Sequence, residues 1–148
     1  MASIDVTSVI DVNVDRVWAV VRDFNAMPNW HPFVARSRIE GGAPSDQVGC
    51  VRNFYTHDDG NIREQLLALS DLEHSFWYSI LDSPMPMTNY VAGLSLTSIS
   101  DGDRTLGRWQ ATFNCAPEVE NDLKTMISTD VFQGGFNALK SRFGMGAS

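Results

Sequence analysis

The sequence has 148 residues, of which 43% are apolar and 20% are charged, an ordinary globular balance. Eleven Lys and Arg against 18 Asp and Glu give a formal net charge of −7, which argues against a nucleic-acid-binding surface, because such a surface needs clustered basic side chains. The longest apolar run, residues 17–21, is far too short to span a membrane. These features predict a single domain over residues 1–148.

The cysteines and histidines predict neither a disulfide framework nor a metal site. Cys50 and Cys115 are too few to staple a chain of this size, and without a recognisable secretion signal they are expected to be free thiols in the cytoplasm. The three histidines are scattered without metal-ligand spacing, and there is no glycine-rich phosphate-binding motif. We therefore expect neither a metal nor a cofactor.

The N-terminal segment predicts a strand followed by one or two short helices. Residues 3–10 alternate loosely and are rich in β-branched side chains, which favours a strand. Asn13 can cap a helix whose apolar positions follow helical spacing over residues 14–24. Pro28 and Pro32 then interrupt regular structure, so that only a second short helical turn is expected there.

Residues 34–113 predict six consecutive strands. Short strand-like runs alternate with turn signals at regular intervals, including residues 58–61 and 100–103. Such punctuation is typical of an antiparallel meander. Met85 and Met87, interspersed with prolines, suggest a loop of adaptable apolar surface near a pocket rim.

The last part of the chain predicts one amphipathic helix of about 25 residues. Pro117 suits its first turn, where a missing N–H group costs nothing. Its apolar face comprises Val119, Leu123, Met126, Ile127, Phe132, Phe136, Leu139 and Phe143. Gly134 and Gly135 in its middle predict either a bend or close approach to the sheet, which we favour, or room left for a ligand.

Together these elements predict an α+β fold. A curved, seven-stranded antiparallel sheet wraps around the long C-terminal helix, with two short helices between strands 1 and 2. A sheet of this size facing one helix leaves space for an internal pocket. Strand alternation assigns the following residues to the pocket face: Cys50, Arg52, Phe54, Ile62, Glu64, Leu66, Ala68, Phe76, Tyr78, Ile80, Tyr90, Ala92, Leu94, Leu96, Trp109, Ala111 and Phe113.

Large apolar side chains around this pocket are the candidate ligand-binding residues. They are Trp30, Phe54, Leu66, Phe76, Leu94, Trp109, Phe113, Phe132 and Phe136. The segment 30–32 (Trp-His-Pro) fits either a lid over the pocket mouth or an ordinary loop, and we favour the loop. Tyr78 and Tyr90 fit packed aromatics better than hydrogen-bonding catalytic groups, although both remain open.

Arg52 and Glu64 are the charged exceptions on this apolar face. If Phe54 lies opposite Glu64 in the hairpin, Arg52 is diagonal to Glu64 and within reach of it. One interpretation is an ion pair that braces the sheet. The other is a carboxylate acting as acid or base beside an arginine that holds an anionic group or oxyanion.

These features resemble the START-like superfamily, in its polyketide cyclase/dehydrase (SRPBCC) branch. The resemblance covers residues 3–143 and implies the helix-grip fold. The segments that carry it are residues 17–18, 22–24, 30–32, 48–52, 63–69 and 78–80, together with Trp109 and Phe113.

The middle of the chain is also similar to lachrymatory-factor-synthase-like members of that superfamily. Residues 49–52 (Gly-Cys-Val-Arg) match one of their elements, and residues 64–66 (Glu-Gln-Leu) match their Glu-Lys-Leu element. Their cavity tyrosines match Tyr78 and Tyr90. This resemblance implies a cavity in which an arginine and a glutamate act on a small substrate.

Three functions remain open. The favoured one is a cofactor-free isomerase, cyclase or dehydratase in which Glu64 moves the proton, Arg52 stabilises negative charge, and Tyr78 or Tyr90 donates a hydrogen bond. The second is a non-catalytic carrier of a hydrophobic molecule. The third is a protein-interaction module, which an interior filled by its own side chains would favour. The expected partner is a small hydrophobic ligand or substrate, without nucleic acid, bound by a monomer or homodimer.

Overall fold

The computed structural model describes residues 1–144, in which seven strands and a long C-terminal helix form an α+β fold. The strands are β1 (Ala2–Ile10), β2 (Val34–Ile39), β3 (Val51–Thr56), β4 (Asn61–Ser70), β5 (Ser75–Asp82), β6 (Thr88–Ile99) and β7 (Arg104–Asn114). The helices are α1 (Val14–Val21), α2 (Met27–Trp30), α3 (Pro117–Met126) and α4 (Gly134–Arg142), with a π-helical segment (Ile127–Gln133) joining α3 to α4.

All seven strands form one antiparallel sheet in the order β1-β7-β6-β5-β4-β3-β2. Strands β2 to β7 follow each other as hairpins, and β1 closes the order by pairing with β7. The predicted curved sheet, long C-terminal helix and pair of short helices are therefore confirmed.

Helix α1 begins where the sequence predicts it. The side chain of Asn13 accepts a hydrogen bond from the backbone N–H of Asp15 at 2.9 Å, which satisfies one of the free donors of the first turn. Val14, Val17 and Trp18 are buried on one face of this helix. The indole of Trp18 also donates to Asp71 at 2.7 Å, so α1 is fastened to the β4–β5 turn.

The C-terminal helix closes the concave face of the sheet. Its α3 part, π-helical segment and α4 part follow one another without a break, and the apolar side chains Leu123, Ile127, Phe132, Phe136 and Leu139 are buried. The ring of Phe132 stacks on Trp109 of β7, with centroids 4.7 Å apart. Burial of this apolar stripe is what holds the helix against the sheet.

The glycine pair in this helix marks a close approach to the rest of the fold. A Cβ atom on Gly135 would lie 2.8 Å from the Trp109 ring and 3.0 Å from the His31 ring. A Cβ atom on Gly134 would meet nothing closer than 3.4 Å. The favoured interpretation, close approach, is therefore correct for Gly135.

Strand alternation places the pocket-facing residues correctly with one exception. Ala68 is exposed, whereas its neighbour Leu69 is half-buried and packs against the core. The register between β4 and β5 shifts between Leu66 and Ala68, and such a β-bulge reverses which residues face inward. The prediction for Ala68 is therefore wrong beyond that bulge.

Candidate functional site

The turn between β3 and β4 decides how the two charged side chains meet. Thr56 and Gly60 close this turn by a backbone hydrogen bond of 2.9 Å, and Asp59 inside it adopts a positive φ of 65°. A three-residue loop with one left-handed position is a common hairpin connection. It moves the pairing by two residues from the predicted register, so that Arg52 lies directly opposite Glu64 rather than diagonal to it. Because the shift is even, both side chains keep the predicted face.

Arg52 and Glu64 form a buried ion pair. Their side chains are only 1% and 8% exposed. Arg52 donates to the Oε1 atom of Glu64 from Nε at 2.8 Å, and its Nη2 atom lies 2.6 Å from the same oxygen. Among the described residues, no hydrogen bond reaches Oε2 of Glu64. The carboxylate therefore keeps one oxygen for another partner.

The guanidinium of Arg52 is enclosed on its remaining sides. Its Nη1 atom donates to the carbonyl oxygen of Phe24 at 3.0 Å. Its central carbon lies 3.8 Å from the centre of the Phe24 ring and 4.9 Å from that of Tyr78, which are cation–π distances. Carboxylate, carbonyl and aromatic faces together compensate for the loss of water around this charge.

A small cavity of about 30 Å³ lies beside Glu64, between the sheet and the C-terminal helix. Space of this size holds a water molecule or two but no organic ligand. It is lined by Met27, Phe33, Phe54, Ile62, Glu64, Tyr78, Ile80, Met85, Met87, Tyr90, Ile127 and Val131. Arg52 is not among these lining residues, so among residues 1–144 only Glu64 presents charge to the cavity.

A second, wider space adjoins this cavity at the surface. It is an open cleft of about 380 Å³, lined by Phe33, Thr56, Asp58, Gly60, Ile62, Pro84, Met85 and Met126. Phe33, Ile62 and Met85 line both spaces and thus form the partition between them. We call the cleft the mouth and these three side chains the partition. Mouth and cavity together fall in the size range of ligand sites.

Burial sets the acid–base character of the cavity. It raises the pKa of Glu64, while the charge and hydrogen bonds of Arg52 act in the opposite direction. Glu64 therefore stays protonated to a higher pH than an exposed glutamate does. Burial followed by the nearby Glu64 charge likewise raises the pKa of Tyr78, so this phenol stays protonated.

Two tyrosines stand next to Glu64 on the cavity wall. The hydroxyl of Tyr78 accepts a hydrogen bond from the indole nitrogen of Trp109 at 3.1 Å. The ring of Tyr90 lies beside it, with centroids 6.4 Å apart, and burial raises its pKa as well. The structure therefore brings Glu64, Tyr78 and Tyr90 together on the cavity wall, and Arg52 lies outside that lining.

The candidate ligand-binding residues divide into two groups. Phe54 lines the cavity. The other eight are buried around it and do not belong to its described lining: Trp30, Leu66, Phe76, Leu94, Trp109, Phe113, Phe132 and Phe136. They pack against one another, as Trp109 does on Phe132, so their ligand-binding roles stay predictions.

Sequence reasoning missed Phe33 of the partition, and Met27 and Val131 among the other residues that line the cavity. Phe33 follows the Trp-His-Pro segment, Ile127 and Val131 belong to the π-helical segment, and Met27 starts α2. Met85 and Met87 had a usable signal, since flexible apolar side chains among prolines indicate a pocket rim. Phe33 carried no such signal because its position depends on how the loop folds.

His31 links this partition to the helix. Its Nε2–H group donates to the carbonyl oxygen of Val131 at 2.7 Å, and its Nδ1 atom accepts from the backbone N–H of Phe33 at 3.1 Å. The ring is 1% exposed, and burial lowers its pKa to about 4. His31 is thus a neutral, buried connector, and the favoured loop interpretation of residues 30–32 agrees with that position.

Residues 1–144 contain neither a metal-binding cluster nor a helix that could span a membrane. No cluster of three or more side chains suited to holding a metal ion occurs in this part of the chain. No helix within it has the length and apolar character needed to cross a membrane.

The sequence and the fold both match known proteins. The family described as polyketide cyclase / dehydrase and lipid transport matches residues 1–144. Comparison with curated proteins gives no match.

Solved structures of the same fold cover almost the whole chain. The protein XoxI from Bacillus cereus is 28% identical, with a TM-score of 0.84 over 97% of this chain and 96% of that one. A protein from Thermobifida fusca is 30% identical, with a TM-score of 0.88 over 98% of this chain and 95% of that one. The START-like resemblance is therefore confirmed at the level of the superfamily.

Proposed function

Because the chain belongs to the polyketide cyclase/dehydrase and lipid transport family, we propose that it binds a small, mostly apolar molecule between the sheet and the C-terminal helix and acts on it by proton transfer. Glu64 carries this proposal. It is a buried carboxylate on the cavity wall, with Oε1 held by Arg52 and Oε2 left for a substrate. The proposed reactions are isomerisation, cyclisation and dehydration, which need no co-reactant.

In this mechanism Oε2 of Glu64 takes a proton from an acidic C–H or O–H group of the substrate. The electron pair left behind moves within the substrate, and the protonated carboxyl returns the proton to a second atom. In a dehydration that second atom is a hydroxyl oxygen, which leaves as water. Tyr78 and Tyr90 donate hydrogen bonds to the oxygen on which charge develops. Burial raises the pKa of Glu64, which makes its carboxylate a stronger base than an exposed one.

Arg52 is a positioning residue in this proposal. It remains protonated throughout and holds Oε1 through Nε and Nη2, which fixes the plane of the carboxylate. Both interpretations of the pair then apply together, since the contact that braces β3 against β4 also aims the reacting group.

A ligand reaches Glu64 only after the partition opens. The cavity of about 30 Å³ excludes organic molecules, whereas the mouth of about 380 Å³ accepts them. Met85 supplies a side chain with three rotatable bonds that can change rotamer at little cost. We propose that the ligand enters from the mouth and displaces this side chain.

The matched test compares Glu64→Gln with Glu40→Gln. Glu40 also pairs with an arginine of the sheet, Arg63 at 2.6 Å, but lies outside the cavity. A library of small apolar compounds is screened against the wild-type protein by thermal unfolding, and stabilising compounds are then incubated with each protein and analysed by mass spectrometry. We expect turnover with the wild type and Glu40→Gln, and ligand binding without turnover with Glu64→Gln.

Unchanged turnover in Glu64→Gln would contradict the proton-transfer role. Binding without any product in the wild type would identify a non-catalytic carrier. A third outcome is an interaction module that takes up no ligand, for which the narrow cavity is the supporting observation. The absence of any stabilising compound would identify it.

A further inference from the structure

We propose that the ligand of this site carries no negative charge and enters with a hydrogen-bond donor, a hydroxyl or a protonated amine, at the leading end of an apolar body. This inference rests on the proposed ligand-binding function and specifies its chemical class. Acidic side chains line the mouth and the cavity, whereas Arg52 lines neither.

The cation of the site is unavailable to a ligand. Arg52 directs Nε and Nη2 to Glu64 and Nη1 to the carbonyl oxygen of Phe24, and aromatic rings cover its faces. With 1% of its side chain exposed, it does not line either space. An anionic group in the cavity would therefore meet no direct partner of opposite charge.

The charged residues that do line the path are both acidic. Glu64 lies on the cavity wall, and Asp58 lies on the rim of the mouth. A hydrogen bond from the Thr56 hydroxyl lowers the pKa of Asp58, so that this carboxyl is ionised at neutral pH. Within residues 1–144, no Lys, Arg or His lines either space. A carboxylate or phosphate would have to lose its water beside like charges, which is strongly unfavourable.

The polar groups of the cavity instead suit a donor. Oε2 of Glu64 has no hydrogen-bond partner among the described residues, and a carboxylate that is ion-paired with Arg52 only accepts hydrogen bonds. A ligand hydroxyl or ammonium group would donate a charge-assisted hydrogen bond to Oε2. The rest of the lining is apolar, with aromatic and thioether side chains such as Phe33, Phe54 and Met87 that suit a flat apolar body.

The test uses matched probes that differ only in their polar group. Arylmethanols, arylmethylamines and arylcarboxylic acids on phenyl, naphthyl and anthracenyl frames are titrated into the wild-type protein at pH 7 by isothermal titration calorimetry. We expect at least one frame whose alcohol and amine bind at least about tenfold more tightly than its acid, the difference that one charge-assisted hydrogen bond provides. This comparison needs no variant and so does not depend on a variant folding.

Two variants and a third, control variant locate the effect. Glu64→Gln should weaken the amine about tenfold and the alcohol by a smaller factor, because both lose a charge-assisted hydrogen bond and only the amine also loses a partner of opposite charge. Asp58→Asn should raise the affinity of the acid slightly, and Glu40→Gln should change none of the three. An acid that binds as tightly as its alcohol overturns this inference but leaves the ligand-binding function standing. A complete lack of binding by all probes overturns both.

Discussion

Arg52 and Glu64 face each other directly across β3 and β4, and two nitrogens of the arginine share a single oxygen of the carboxylate. The usual arginine–carboxylate contact is a fork in which each nitrogen meets its own oxygen. In this protein both nitrogens are directed to Oε1 instead. Oε2 is therefore the carboxylate oxygen that a molecule in the cavity can contact.

Removing the arginine should destabilise the fold strongly. Arg52→Met leaves a buried carboxylate without its counter-charge, and we expect the free energy of unfolding to fall by about 3–5 kcal/mol in urea titrations at pH 7. Arg63→Met is the matched control, because it breaks the partly exposed pair with Glu40 and should cost much less stability. The double variant Arg52→Met/Glu64→Leu should recover much of the loss. Equal losses in the two single variants would contradict the burial argument.

His31 should make the protein sensitive to mild acid. Burial lowers its pKa from an ordinary 6.5 to about 4, so between these values the unfolded chain binds a proton that the folded chain does not. The stability due to the neutral ring is complete above pH 6.5 and is lost as the pH falls towards 4, by roughly 3 kcal/mol in all. Urea unfolding at several pH values measures this loss.

One variant isolates the histidine from other titrating groups. The difference in unfolding free energy between wild type and His31→Gln should shrink as the pH falls from 6.5 to 4. Parallel curves for wild type and His31→Gln would show that the ring does not titrate as described.

The adjacent glycines of α4 should respond in opposite directions to the same change. Gly135→Ala places a methyl group 2.8 Å from Trp109 and 3.0 Å from His31, and overpacking of this kind costs about 1–3 kcal/mol. Gly134→Ala meets only Thr129 at 3.4 Å, and alanine in a helix gains up to about 1 kcal/mol over glycine. Thermal unfolding of the two variants compares them directly. Equal stability in both would rule out the close approach.

Met85 should control access to Glu64. Met85→Ala removes a partition side chain and joins the mouth to the cavity. We therefore expect a probe such as 2-naphthylmethanol to associate several-fold faster with this variant than with the wild type in stopped-flow fluorescence. Met126→Ala is the control, because Met126 lines the mouth without lining the cavity. An association rate that is the same in the wild type and both variants would place the entrance elsewhere.

Much of the fold follows from the sequence because each element has a clear period. Alternation defines the inner face of the strands, and the cap at Asn13 and the proline at the start of α3 mark helix ends. The sequence shows that Arg52 and Glu64 share one face of the sheet, but not which residues lie opposite each other. That register depends on the positive φ of Asp59 in the turn. Ala68 was misplaced for a similar reason, since a bulge leaves no reliable mark in the residue pattern.

The volume of the site could not be predicted in the same way. The alternation of residues along a strand shows which side chains point inward. Whether Phe33 and Met85 leave space or fill it depends on their rotamers and on the paths of their loops. The sequence thus predicts the chemistry beside Glu64 and not the closed partition in front of it.

The π-helical segment makes the number of residues in the C-terminal helix a constraint in its own right. Its buried positions Leu123, Ile127, Phe132, Phe136 and Leu139 are spaced by four, five, four and three residues, and the step of five spans the π-helical turn. Deleting one residue in that step would rotate everything after it by about 100° relative to the sheet. Evolution can therefore exchange side chains along this helix gradually, whereas a single-codon deletion would turn a different set of side chains towards the sheet at once.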